Sequence, residues 1–213
     1  EQEILSGGLQ IYTELDPKMQ AAAEYVYRRA EYFPEDRGGL ESGIVLLNSR
    51  SGGVRALVGQ IGEKTSYRGF NYATHTERQP GSSIKPIVAY APALQQGYRP
   101  TDYIHDVPTD FGNYTPANYG GRFHGWVTLE ESLVQSYNVP AVALLREIGI
   151  DNGMALARAA GLPLTEEDRT LAVALGGLNR GVSPLDMAQA YTMFANDGIR
   201  SEAYAITDLF DSR

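Results

Sequence analysis

The sequence predicts an α+β fold, an antiparallel sheet flanked by a mainly helical region, and three observations predict it. Two short apolar runs in the first third of the chain flank a turn-rich connection. A nearly continuous apolar helix pattern follows, and from residue 128 helical periodicity recurs in segment after segment.

The elements follow in order. Residues 9–15, LQIYTEL, alternate apolar and polar side chains as a half-buried strand does. Asp16-Pro17 then supplies an N-cap and a proline at the first helical position, so a helix over 17–32 is expected. The runs 43–47 and 54–58 enclose Asn48-Ser49-Arg50-Ser51-Gly52-Gly53, the pattern of an antiparallel hairpin. Residues 82–97 are apolar on nearly every side, so a helix there is buried, with a bend expected near Pro92 because proline lacks the N–H that a continuing helix needs. Residues 98–126 show no sustained period and read as a long ordered surface segment. Thr128 followed by Glu131 forms a capping-box pattern for a helix at 129–136. The stretches AVALLREIG, MALARAAG and SPLDMAQAYTMFANDG carry the last helices, with Ser183-Pro184 opening the final one and Gly198 closing it.

Composition narrows the function. With 43% hydrophobic and 21% charged residues among 213, the chain can bury a sizeable core. A formal charge of −8 opposes unaided binding to nucleic acid or anionic lipid. The absence of cysteine excludes thiol catalysis, disulfides and cysteine-ligated zinc. No apolar stretch approaches the roughly 18 residues that span a bilayer, and the start has neither a basic segment nor an apolar signal core, so this piece is expected to be soluble. His75, His105 and His124 form no triad or metal spacing and read as polar or packing residues. No metal or cofactor is expected.

Ser82 and Lys85 are three residues apart, which on one helical turn puts hydroxyl and amine on the same face. A lysine desolvated by apolar neighbours can exist as the neutral amine and take a serine proton. Ser82 at a helix start also has free N–H groups nearby for a developing oxyanion. The plainer alternative is that Ser82 is an N-cap and the spacing fortuitous; the burial of an amine within an apolar helix counts against it. Ser136-Tyr137-Asn138 adds a second hydroxyl and an amide at a break between helices, where the alternative is that Ser136 and Asn138 cap their flanking helices.

Together, in this order and with RQPG directly before Ser82, the two patterns resemble the transpeptidase domain of class A, bifunctional penicillin-binding proteins, whose signature is S-x-x-K, a serine-x-asparagine element and K-T-G. GGLQIYTELDPKMQAAAE, ESGIVLLNSRSGGVRALVG, RQPGSSIKP, NVPAVALL and ALGGLNRGVSPLDMAQAYTMFANDG resemble the same family. The resemblance implies the penicillin-binding/β-lactamase-like fold, with 1–35 as an interdomain junction strand and first helix and 36–213 as the N-terminal part of the transpeptidase domain. It implies Ser82 as the acyl-forming nucleophile and Lys85 as its proton acceptor. Ser136 would be a proton relay to the leaving amine, and Asn138 would hold the acyl side-chain amide. Trp126, Tyr137 and Ser83 would line the substrate groove. Peptidoglycan stem peptides and β-lactams are the implied ligands, at the extracytoplasmic face of a membrane-anchored bacterial parent protein that is also a glycosyltransferase.

One element of the pattern is missing. Lysine occurs only at Lys18, Lys64 and Lys85, none followed by Thr-Gly. The C-terminal sheet strands that carry K-T-G in the family are therefore expected on a separate or severed fragment, and the 43–59 hairpin is expected to present an unpaired edge. Two other readings are a non-catalytic β-lactam sensor or scaffold, favoured by the absent K-T-G, and a serine β-lactamase. The second lacks the E-x-x-L-N pattern, since Leu178-Asn179 follows Leu175 where glutamate would stand.

Overall fold

The computed structural model describes residues 8–35, 38–64 and 66–210. In chain order these form β1 (Gln10–Thr13), α1 (Pro17–Tyr27), β2 (Ile44–Leu47), β3 (Val54–Val58), α2 (Ala91–Gln95), β4 (Tyr103–Asp106), β5 (Gly125–Thr128), α3 (Leu129–Val134), α4 (Asn138–Ile148), α5 (Ile150–Ala159), α6 (Pro184–Ala195) and β6 (Ile206–Phe210). The strands pair as three two-stranded antiparallel ribbons, β1 with β6, β2 with β3, and β4 with β5. The α+β class holds, with the sheet in three pieces. The chain divides into two units, Glu1–Thr76 with Ser183–Arg213, and Glu77–Val182.

In the first unit, Asp16 Oδ1 accepts the N–H groups of Lys18 (2.9 Å) and Met19 (3.1 Å), satisfying two donors that α1 itself cannot. α1 ends at Tyr27, short of the expected residue 32, and the chain turns back so that Phe33 packs edge-on against Tyr27, with centroids 5.5 Å apart. β1 is exposed along its length instead of half-buried. Its aromatic side chain serves cross-strand pairing, Tyr12 meeting Phe210 of β6 edge-on at 5.7 Å.

The β2–β3 hairpin forms where expected, in register Ile44↔Val58 to Leu46↔Ala56. Asn48 builds the turn, its Oδ1 accepting the N–H groups of Arg50 and Ser51. The expected open edge is corrected on the β3 side. There the Arg55 carbonyl accepts the Asp16 N–H (2.9 Å), and the Gln20 side chain accepts the Leu57 N–H (2.8 Å) while donating to the Leu57 carbonyl (3.1 Å). α6 packs over β2 and opens at the Ser183-Pro184 start read from the sequence, where Ser183 and Asp186 form a capping box.

The second unit holds the buried helical core. Ile84, Ile87, Val88, Val139, Val142, Leu144, Leu145 and Val173 have no exposed surface. The expected bend lies in the turn before Pro92: Gly81–Ile84 is a 3₁₀ turn, Pro86–Tyr90 a wider π turn in which the Ala91 N–H reaches back to Pro86 O, and only Ala91–Gln95 is α-helical. Neither Pro86 nor Pro92 has an N–H, so regular α bonding is interrupted at both ends of this segment. α5 approaches it through Gly153, where a Cβ would collide with the Val88 carbonyl.

Residues 98–126 are not a periodless surface segment throughout. They contain β4 and the start of β5, paired Tyr103↔Thr128 through Asp106↔Gly125. Ile104, Asp106 and Val127 face inward. Each strand is four residues long, too short for its alternation to stand out.

Candidate active site

Ser82 lies in the 3₁₀ turn Gly81–Ile84 and is exposed. Among the described residues its hydroxyl makes no hydrogen bond, while its carbonyl accepts the Lys85 N–H. The turn is supported from below by Gly176, at φ +79°, where a Cβ would collide with the Gly81 backbone. Only a residue without a side chain fits this approach. Gln79 Nε2 donates to Leu178 O (3.3 Å), and Arg78 pairs with Val182, so 176–182 braces the segment before Ser82. Ser83 is exposed and its hydroxyl donates to Pro80 O at 2.7 Å.

Lys85 is 1% exposed. Its Nζ lies within hydrogen-bond distance of four oxygens of one short segment: Ser136 O (2.6 Å), Asn138 Oδ1 (2.7 Å), Ser136 Oγ (3.1 Å) and Tyr137 O (3.1 Å). All four are uncharged. Burial therefore acts against the ammonium with no carboxylate in the hydrogen-bonded set to oppose it, and pulls the pKa down to about 8.

The Ser136–Asn138 segment owes its shape to two helix ends. The N–H of Ser136 bonds Leu133 O (3.1 Å) and that of Tyr137 bonds Ser132 O (3.0 Å), the paired bonds of a Schellman closure of α3. Ser136 occupies its left-handed position, at φ +57°, which glycine usually fills. Tyr137 is the N-cap of α4 and makes no capping bond with its side chain. Neither Ser136 nor Asn138 spends its side chain on a helix end: both face Lys85, and Asn138 Nδ2 donates to Ala117 O (2.8 Å).

The structure thus brings Lys85, Ser136 and Asn138 into direct contact, and joins Ser82 to Lys85 through one 3₁₀ turn. Trp126 stands on the outer face of β5, 66% exposed, its ring stacked on His105 of β4 at 4.5 Å. Tyr137 stacks on His124 at 4.2 Å. Sequence reasoning missed three residues around this segment. Asp106 is fully buried and pairs with His124 Nδ1 (2.8 Å), and buried Asn118 bridges Asp106 to the start of α4. Asn118 before Tyr-Gly-Gly reads as a turn residue, and no spacing in the chain ties it to 106 or 138.

A model of the penicillin binding protein transpeptidase domain matches residues 42–211. Penicillin-binding protein 2a of Streptococcus pneumoniae is 42% identical over 97% of this chain, and penicillin-binding protein 1F of Bacillus subtilis is 38% identical over 99%. The chain spans 29% of the length of each. Among solved structures, penicillin-binding protein 1A of Haemophilus influenzae matches 80% of this chain at 34% identity with a TM-score of 0.71, over 26% of its own length. The penicillin-binding protein PonA1 of Mycobacterium tuberculosis shares the fold across 100% of this chain and 56% of its own, with a TM-score of 0.83 at 24% identity. Among the described residues no helix is long and apolar enough to cross a membrane. The match across 42–211 and the fold agree, and the chain belongs to the penicillin-binding protein transpeptidase family.

Proposed function

We propose that this chain carries the acylation half-site of a peptidoglycan DD-transpeptidase, with Ser82 as nucleophile. The observation that supports this most directly is the buried Lys85 amine, seated on neutral oxygens of Ser136, Tyr137 and Asn138 with its pKa near 8. In its neutral form Lys85 takes the Ser82 proton as Oγ attacks the carbonyl of the penultimate D-alanine. The peptide C–N bond then breaks, and the departing D-alanine amine receives a proton through Ser136, leaving an acyl-Ser82 ester. An amine of a neighbouring stem peptide attacks that ester, forming the cross-link and returning the proton to Ser82. Asn138 Nδ2, with Trp126, Tyr137 and Ser83, orients the donor peptide.

A β-lactam acylates Ser82 by the same attack. The broken C–N bond leaves its amine tethered to the acyl group, so nothing diffuses away and the ester persists. The 213 residues hold no Lys-Thr-Gly. The reading includes a polypeptide segment that supplies this element beside Ser82, within a membrane-anchored, extracytoplasmic parent protein that also has glycosyltransferase activity. Intact-mass measurement before and after benzylpenicillin, with peptide mapping, tests it. An adduct on Ser82 that Ser82→Ala abolishes is the expected result; an unmodified Ser82 in the intact parent protein overturns it.

A further inference from the structure

Asp106 has no part in the chemistry above, yet its carboxylate is completely buried. Such a group is destabilising unless its oxygens are hydrogen-bonded. They accept from Asn118 Nδ2 (2.7 and 2.9 Å) and from the His124 backbone N–H (3.0 Å), and Oδ2 lies 2.8 Å from His124 Nδ1. Asn118 is used to capacity. Its Nδ2 donates to Asp106 and to Arg122 O (2.9 Å), and its Oδ1 accepts the N–H groups of Asn138 (2.8 Å) and Val139 (3.2 Å). A side-chain amide has two donor hydrogens and two acceptor lone pairs, and all are committed. Flipping the amide would set its NH₂ against two N–H donors, so the orientation is fixed by the network.

The consequence lies at the start of α4. The first N–H groups of a helix have no partner within it, and the residue at the N-cap supplies one when it can. Tyr137 cannot. Asn118, twenty residues upstream of Asn138, takes that duty, which leaves the side chains of Ser136 and Asn138 to Lys85. The second arm of the same carboxylate holds His124, whose ring lies on Tyr137 at 4.2 Å and 13°. Asp106 therefore fixes the 136–138 segment from two sides.

We propose that Asp106 and Asn118 are positioning residues that lock the Ser136–Asn138 turn onto Lys85 Nζ. The effect on acylation rests on the transpeptidase reading; the effect on Lys85 does not. The test uses the intact parent protein labelled with ¹³C-lysine, the Lys85 signal being assigned by its loss in Lys85→Arg, and measures the Lys85 titration and the rate of Ser82 acylation by benzylpenicillin. In Asn118→Ala the ammonium keeps its burial but loses fixed acceptors. Its midpoint should fall below about 8, and acylation should slow about 10²-fold, as misplacement of a catalytic group does. Met154→Ala, a core truncation in α5, should lower thermal stability without moving the midpoint. If Asn118→Ala does not fold, His124→Ala, at a partly exposed position, should shift the midpoint in the same direction. An unmoved Lys85 midpoint in the folded variants overturns the proposal. A wild-type protein that is never acylated overturns the transpeptidase reading alone, because the lysine titration still reads the positioning.

Discussion

Lys85 Nζ sits 2.7 Å from Asn138 Oδ1, a contact that spans 53 residues of sequence and joins the two motifs on which the functional reading rests. Among the described residues, every oxygen within hydrogen-bond distance of this nitrogen belongs to residues 136–138. A neutral amine keeps a place there by donating its two N–H groups to these oxygens, which leaves its lone pair for a proton.

In the proposed mechanism the neutral Lys85 amine is the competent base, so acylation of Ser82 should rise with pH through a midpoint near the Lys85 value of about 8. At pH 7 about a tenth of the molecules hold it in that form. Stopped-flow acylation rates from pH 6 to 9.5 check this, and a flat profile would assign the proton to another group.

The same shift has a stability counterpart. A lysine whose folded pKa lies below its unfolded value binds fewer protons when folded, so stability rises with pH between about 8 and 10.5. The amine's penalty at neutral pH is about 3 kcal/mol. Chemical denaturation of Lys85→Met against wild type should show the variant's relative stability greatest at pH 7 and declining by about that amount towards pH 10.5.

Ser136→Gly should separate stability from activity. Glycine relieves the left-handed backbone at φ +57°, which is unfavourable by about 1 kcal/mol for other residues. Ser136→Ala removes the same hydroxyl without that relief. Thermal melts should place Gly above Ala by about 1 kcal/mol, while acyl transfer from a stem-peptide analogue is lost in both.

Gly176→Ala should displace the turn that carries Ser82. The new Cβ meets the Gly81 backbone and the position is at φ +79°, so the variant should lose about 1–3 kcal/mol and its acylation rate should fall. Wild-type acylation would show that the Gly81 turn yields without moving Ser82.

The parts of this molecule that were legible in its sequence are those set by neighbours in the chain. Asp16-Pro17, Asn48 to Gly53, Thr128 and Ser183 act within a few residues of themselves, and each produces the cap or turn its chemistry demands. Ser82 and Lys85 were visible for the same reason. Asn118 was not, because its meaning comes from Asp106 on β4 and from α4, neither of which shares a period or spacing with it. The sequence reads the histidines only as polar or packing residues; His105 stacks on Trp126, and nothing in the spacing of His124 points to the buried carboxylate that holds it. The three-strand-pair arrangement was also hidden, since β4 and β5 are too brief to show alternation.

Gln20 bonds the Leu57 N–H and carbonyl with one amide, as a residue of an adjoining strand would. A side chain thus counterfeits the next strand and gives the hairpin a polarity: on the β3 flank the ladder is terminated, and an incoming polypeptide would have to evict Gln20 before it could pair. Recruitment of further strands is thereby channelled to the β2 flank, so that a glutamine on a helix, together with the Asp16 N–H on Arg55 O, sets the direction in which this sheet can be extended.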